Sequence, residues 1–143
     1  MNSEEKREII LDNVSNPYNK EIKDDSYLKV NTTNDSCIDN ITLFIKIEDD
    51  IIKEIFFDGE ACAITTSTTS IMLKLLEGLS IDKALNIINN YKNMINEEEY
   101  DKTILKEANI YDEIYKQPNR KNCALLPWNG LYDVLSKYQP TKN

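Results

Sequence analysis

Three cysteines, Cys37, Cys62 and Cys123, and one aspartate, Asp39, are the residues of this chain that could meet at a single centre and do chemistry there. Cys37 and Asp39 flank Ile38, so one short loop could aim both side chains at the same point, with Cys62 and Cys123 closing a tetrahedron. Zinc takes thiolates at about 2.3 Å and carboxylate oxygen at about 2.0–2.2 Å, which makes a set of three sulfurs and one oxygen chemically sound. The intervals from Cys37 to Cys62 and on to Cys123 are long and match no local zinc-finger spacing. From spacing alone, metal binding and plain burial of three small apolar side chains both stay open. Three thiolates and a carboxylate would outweigh the charge of Zn²⁺, so such a centre calls for nearby donors or a cation. Arg120 and Lys121, just before Cys123, are the candidates.

The elements that must position these residues can be read from periodicity. Ser3, followed by Glu4, Glu5 and the apolar set Ile9, Ile10 and Val14, predicts an N-capped amphipathic helix that closes near Asn16-Pro17. Three β-like stretches follow: Tyr27 to Asn31, Ile41 to Ile47 and Ile51 to Phe57, the last two joined by a turn at Glu48-Asp49-Asp50. Cys37 and Asp39 then lie in the loop between the first two strands. Beyond Gly59 the spacing turns helical through Ile64, Ser67, Ile71, Leu75 and Leu76, with Gly78 able to close that helix and Cys62 just before its first turn. Ser80 starts another helix through Tyr91, and Asn96 to Glu99 reads as a solvated break. Tyr100 to Tyr115 is helical in part, and Pro118 ends it. Arg120 to Tyr138 forms a last helix with Cys123 near its start, although Pro127 suggests that its regular part begins near that proline. Helix, three strands, then helices predicts an α+β fold, a three-stranded antiparallel sheet with helices packed on one face, in a single domain over residues 1–143. Each cysteine falls at a loop or a helix start, where unpaired backbone N–H groups favour the thiolate.

Composition narrows the function classes. The 143 residues are 41% hydrophobic and 29% charged, ordinary values for one folded domain. A net charge of −8 and the absence of His argue against a nucleic-acid groove, which needs clustered Lys and Arg. The partner expected is a protein or an ion. No run approaches the roughly 20 apolar residues of a membrane helix, and the start, MNSEEKREIIL, is acidic at once and too short in its apolar stretch for a signal peptide. A cytoplasmic location is therefore expected, where thiols stay reduced, and an odd count of cysteines speaks against a disulfide framework.

Read in order, several segments resemble the SufU branch of the IscU/NifU-like iron–sulfur assembly family. Asn16-Pro17-Tyr18-Asn19-Lys20 looks like its early NPxNxG-type stretch, and Asp35-Ser36-Cys37-Ile38-Asp39 its CGD loop. Phe57 to Ile64 is similar to the FxGxGCxIS segment, followed by the Ser/Thr-rich helix start Thr65 to Ser70, and Asn122 to Trp128 resembles the KCAxLxW segment. Scaffolds of the IscU type carry His immediately before the last cysteine, whereas this chain has Asn122 there. The stretch Asn96 to Lys116 resembles the insertion that separates SufU-type proteins from scaffolds, and Arg120 sits where the SufU pattern has a basic residue. The resemblance implies a Zn²⁺ site made of Cys37, Asp39, Cys62 and Cys123, with Arg120 beside it, and a role as sulfur acceptor for a SufS-type cysteine desulfurase that itself holds the pyridoxal phosphate. In such proteins Cys37 would leave the metal when the desulfurase docks with a His ligand, and would receive the persulfide sulfur. Other iron–sulfur assembly proteins would be downstream partners. The alternative it implies is an IscU-type scaffold, with an iron–sulfur cluster on the same thiolates. Ile38 and Ala61 stand where the pattern has glycine, so if glycine takes a positive φ there, the loop must follow another path.

Overall fold

In the computed structural model, which describes residues 1–35 and 38–138, helix α1 (Ser3–Ser15) is followed by strands β1 (Leu28–Thr33), β2 (Asn40–Glu48) and β3 (Ile51–Glu60). Helices α2 (Ala63–Leu76), α3 (Ile81–Ile95), α4 (Lys102–Leu105) and α5 (Pro118–Lys137) complete it, with two 3₁₀ turns between α4 and α5. The strands form one antiparallel sheet in the order β1-β2-β3, with Leu43 opposite both Val30 and Phe57. This is the α+β arrangement expected from the sequence. Asp49 and Asp50, with φ of 54° and 60°, make the tight turn from β2 to β3, a backbone region that short polar side chains tolerate.

Alternation decides which face of the sheet is covered. Ile41, Leu43 and Ile45 of β2 and Ile55 and Phe57 of β3 are fully buried against Ile71, Met72 and Leu76 of α2, Ile88 and Tyr91 of α3, and Trp128 and Leu131 of α5. On the opposite face Tyr27 meets Phe56 edge to face, and Lys23 Nζ lies 4.2 Å from the Phe56 ring centre. The free edge of β3 is closed by Asn19 and Glu21, since Phe57 N–H donates to the Asn19 carbonyl and Glu21 N–H to the Phe57 carbonyl. Among the described residues, no helix is long and apolar enough to cross a membrane.

Two expectations about helix ends need correction. The N-cap of α1 is Asn2, not Ser3: Glu5 N–H donates to Asn2 Oδ1 at 2.8 Å and Glu5 Oε1 accepts the Asn2 N–H, a reciprocal pair that Ser3 is one residue too late to make. Helix α5 begins at Pro118, where a missing N–H costs nothing, and runs straight through Pro127. Pro127 cannot donate to the carbonyl four residues back, which belongs to Cys123, and that carbonyl accepts the Thr65 hydroxyl at 3.3 Å instead. The segment after the exposed break at Asn96–Glu99 is only partly helical, as its mixed spacing implied: one turn of α4, then 3₁₀ turns.

Gly59 ties the sheet to the loop before β2. Its φ of +134° is open to glycine alone, and a Cβ there would sit 2.0 Å from the Asn40 carbonyl oxygen, a backbone atom next to Asp39. Gly59→Ala is expected to cost about 1–3 kcal/mol from strained backbone, seen in a thermal melt as a drop of roughly 4 °C for each kcal/mol. An unchanged melting temperature would show that the strand end relaxes freely.

Candidate metal centre

Asp39 is carried to its place by the sheet. The Asn34 N–H donates to the Asp39 carbonyl at 3.1 Å, extending the β1–β2 ladder one step beyond the Thr33–Asn40 pair. Cys37 itself lies outside the described residues. The Asp39 side chain is 2% exposed, and a buried carboxylate must be hydrogen-bonded. Its Oδ1 accepts the Cys62 N–H at 2.8 Å and its Oδ2 accepts the Thr65 hydroxyl at 2.7 Å. Burial pushes the Asp39 carboxyl up, but the donors from Cys62, Thr65 and Cys123 outweigh it and hold the group below the ordinary carboxylate range.

Cys62 is the N-cap of α2, immediately before the first turn as the helical spacing predicted. Its Sγ accepts the Thr65 N–H at 3.5 Å, in the position a serine or aspartate oxygen usually takes. Ala61, which precedes it, is not among the described residues with positive φ, so that side chain imposes no left-handed strain.

Cys123 differs from expectation. Because α5 starts at Pro118, Cys123 lies in the second turn and is buried, away from the unpaired N–H groups of the helix start. Burial, with Cys62 and Asp39 close by, pushes its thiol up to about 12. A cation placed among these groups would reverse that preference, since a coordinating thiol is deprotonated outright. Asn34 Nδ2 lies 3.6 Å from the Cys123 sulfur.

Asp39, Cys62 and Cys123 thus come from the end of a strand loop, a helix cap and a helix interior, and their ligand atoms all lie within 4.8 Å of one another. Two thiols and a carboxylate in a partly dry site form a donor set that fits zinc, which accepts both sulfur and oxygen in tetrahedral sites. Among the described residues, the donors that reach these groups are neutral: the Cys62 N–H and the Thr65 hydroxyl on Asp39, and the Asn34 amide on Cys123. Arg120, expected beside the centre, is exposed on the first turn of α5, and among the described residues its side chain makes no hydrogen bond or ion pair. Sequence reasoning passed over Thr65 and Asn34. Thr65 could have been found, because three residues after a capping cysteine is where a helix returns a side chain to its own cap. Asn34 carries no such signal.

Residues 5–143 match the family described as the NifU-like N terminal domain. The chain is 33% identical to the zinc-dependent sulfurtransferase SufU of Bacillus subtilis over 92% of its own length and 89% of that protein. It is 31% identical to the iron–sulfur cluster assembly scaffold protein IscU of Thermotoga maritima, covering 91% of this chain and 92% of that one. The fold superposes with a TM-score of 0.84, at 31% identity and over 90% of this chain and 94% of the other, on a crystal structure from Fervidobacterium islandicum AW-1, described as an iron–sulfur cluster assembly scaffold protein for the SUF system. With its strand order, its converging cysteines and this match in hand, the chain belongs to the NifU-like N-terminal domain family, of the IscU and SufU type.

Proposed function

We propose that this chain serves iron–sulfur cluster assembly as a zinc-dependent sulfur-transfer protein, taking persulfide sulfur on Cys37 from a SufS-type cysteine desulfurase. The observation that carries the reading is the convergence of Asp39, Cys62 and Cys123 from three distant segments. Likeness to a zinc-dependent sulfurtransferase over nearly the whole chain supports the choice of zinc. In this reading Cys37, two residues before Asp39 in sequence, is the fourth ligand and the one that exchanges, because Cys62 and Cys123 are both carried by helices. Bound zinc keeps the thiols deprotonated and reversibly protected.

The residues then divide the work. The Cys37 thiolate attacks the outer sulfur of the desulfurase persulfide; a sulfur–sulfur bond forms at Cys37, the old one breaks, and its electron pair leaves with the desulfurase cysteine as a thiolate. No net oxidation or reduction occurs. Cys62 and Cys123, held by α2 and α5, stay as the fixed part of the site, and Asp39, locked at both oxygens, keeps the loop closed. Sulfur then passes from Cys37 to later proteins of cluster assembly.

A second reading, an IscU-type scaffold that carries an iron–sulfur cluster on the same cysteines, draws on the likeness to the Thermotoga maritima scaffold. The absence of His from the chain favours the first reading. Metal analysis of protein purified in air separates them: the sulfur-transfer reading expects colourless protein with about one zinc per chain, and brown protein holding iron and sulfide would overturn it. Removal of that zinc by a strong chelator should lower the melting temperature by several degrees, because the ion joins three segments; an identical melt would remove its structural part.

The division of labour gives a sharper test. Cys37→Ala should abolish stimulation of a SufS-type desulfurase while the protein stays folded, whereas Cys62→Ala or Cys123→Ala should lose zinc as well. Normal stimulation by Cys37→Ala would move the acceptor role to another residue.

A further inference from the structure

One buried hydroxyl touches all three described ligand residues, and the chemistry assigned above does not use it. Thr65 Oγ1 lies 2.7 Å from Asp39 Oδ2, 3.3 Å from the Cys123 carbonyl oxygen and 3.4 Å from Cys62 Sγ. The residue is fully buried, so no water competes for these contacts. A threonine hydroxyl has one proton to give, and the short contact to a charged oxygen takes the larger share of it.

Everything around Thr65 fixes that hydroxyl in place. Its N–H is spent on Cys62 Sγ and its carbonyl accepts the Thr69 hydroxyl at 2.6 Å, both within α2. Its branched side chain has few rotamers in a helix. The Cys123 carbonyl receives no bond from Pro127, four residues on, and so keeps its full acceptor capacity for this hydroxyl. The Asp39 carboxylate, gripped at Oδ1 by the Cys62 N–H and at Oδ2 by Thr65, cannot rotate, yet each oxygen keeps acceptor capacity.

We infer that Thr65 is the positioning residue of the metal centre: its hydroxyl holds the Asp39 carboxylate in its ligating orientation and ties the ligand on α5 to the ligand at the start of α2. The inference rests on the reading of Asp39, Cys62 and Cys123 as zinc ligands. It also accounts for a polar side chain at a fully dry position where valine would fill the same volume.

The test is a zinc competition titration against a coloured chelator, on the full chain, for the parent, Thr65→Val, Thr65→Ser, Asp39→Ala and the Thr65→Val/Asp39→Ala double variant. Loss of a partner that orients a ligand typically weakens metal binding about 10–100-fold, and that is the loss expected for Thr65→Val. Thr65→Ser, which keeps the hydroxyl, should retain most of the parent affinity. Asp39→Ala should bind zinc more weakly than the parent, and adding Thr65→Val to it should cost nothing more, because the hydroxyl acts through the carboxylate. A general packing role would instead weaken binding equally in both backgrounds and would not be rescued by serine; that pattern, or a Thr65→Val affinity equal to the parent's, overturns the inference. Should the valine variant fail to fold, Thr65→Ala removes the same hydroxyl with less bulk and is read in the same way. A parent protein that binds no zinc overturns the metal reading itself and this inference with it, and that failure is visible before any variant is measured.

Discussion

A helix that carries Thr65, Ser67, Thr68, Thr69 and Ser70 out of reach of water must find a partner for each hydroxyl, because an unpaired one costs about 1–3 kcal/mol. Helix α2 does so by drawing a different element to almost every one of them. Thr65 takes Asp39 from the β1–β2 loop, and Ser67 takes the Tyr111 hydroxyl from the 3₁₀ segment. Thr68 meets Tyr91 of α3 at 3.0 Å and accepts the Trp128 indole N–H of α5 at 2.8 Å. Ser70 donates to Asn13 of α1 at 2.7 Å, and Thr69 turns back to the Thr65 carbonyl. The register of each neighbour on α2 is thereby specified by hydrogen bonds, with apolar burial supplying the driving force around them.

The candidate metal centre is the outer end of this polar ladder. Tyr91 stacks on Trp128 with ring centres 3.8 Å apart and planes within 9°, and its hydroxyl donates to the Ala124 carbonyl at 2.9 Å. That bond sets the height of α5 one residue from Cys123. Burial raises the Tyr91 and Tyr111 phenols above their ordinary range, so both stay neutral donors. Cys123, on a helix that continues through a proline, is thus held by a stacked aromatic pair, while Asp39 is tied by the backbone bond from Asn34 and by the grip on its carboxylate.

How far the sequence reached can be judged residue by residue. The three strands, the Asp49-Asp50 turn and the placing of Cys62 just ahead of a helix were legible, since alternation, turn residues and helical spacing are properties of neighbours in the chain. The Asn2 cap was missed by one residue because Asn and Ser are equally good caps and only Glu5, three residues on, chooses between them. Pro127 points to a regular helix that begins near it, whereas α5 is regular from Pro118. A proline inside a helix removes one bond and crowds the carbonyl four residues back; here that carbonyl, of Cys123, meets the Thr65 hydroxyl, far away in sequence.

The sequence by itself determined the residue types that a soft cation would bind, the antiparallel sheet and the helices that follow it, because each depends on short-range pattern or on chemistry carried by the side chain. Tertiary structure alone decided that Asp39, Cys62 and Cys123 lie within 4.8 Å of one another, that Cys123 is buried inside a helix and not at its start, and that the Cys62 N–H and the Thr65 hydroxyl grip the Asp39 carboxylate. Those facts turn on which distant groups share a dry space. Burial, dielectric and hydrogen-bond partnership belong to the packed assembly of elements and are written in no single stretch of chain.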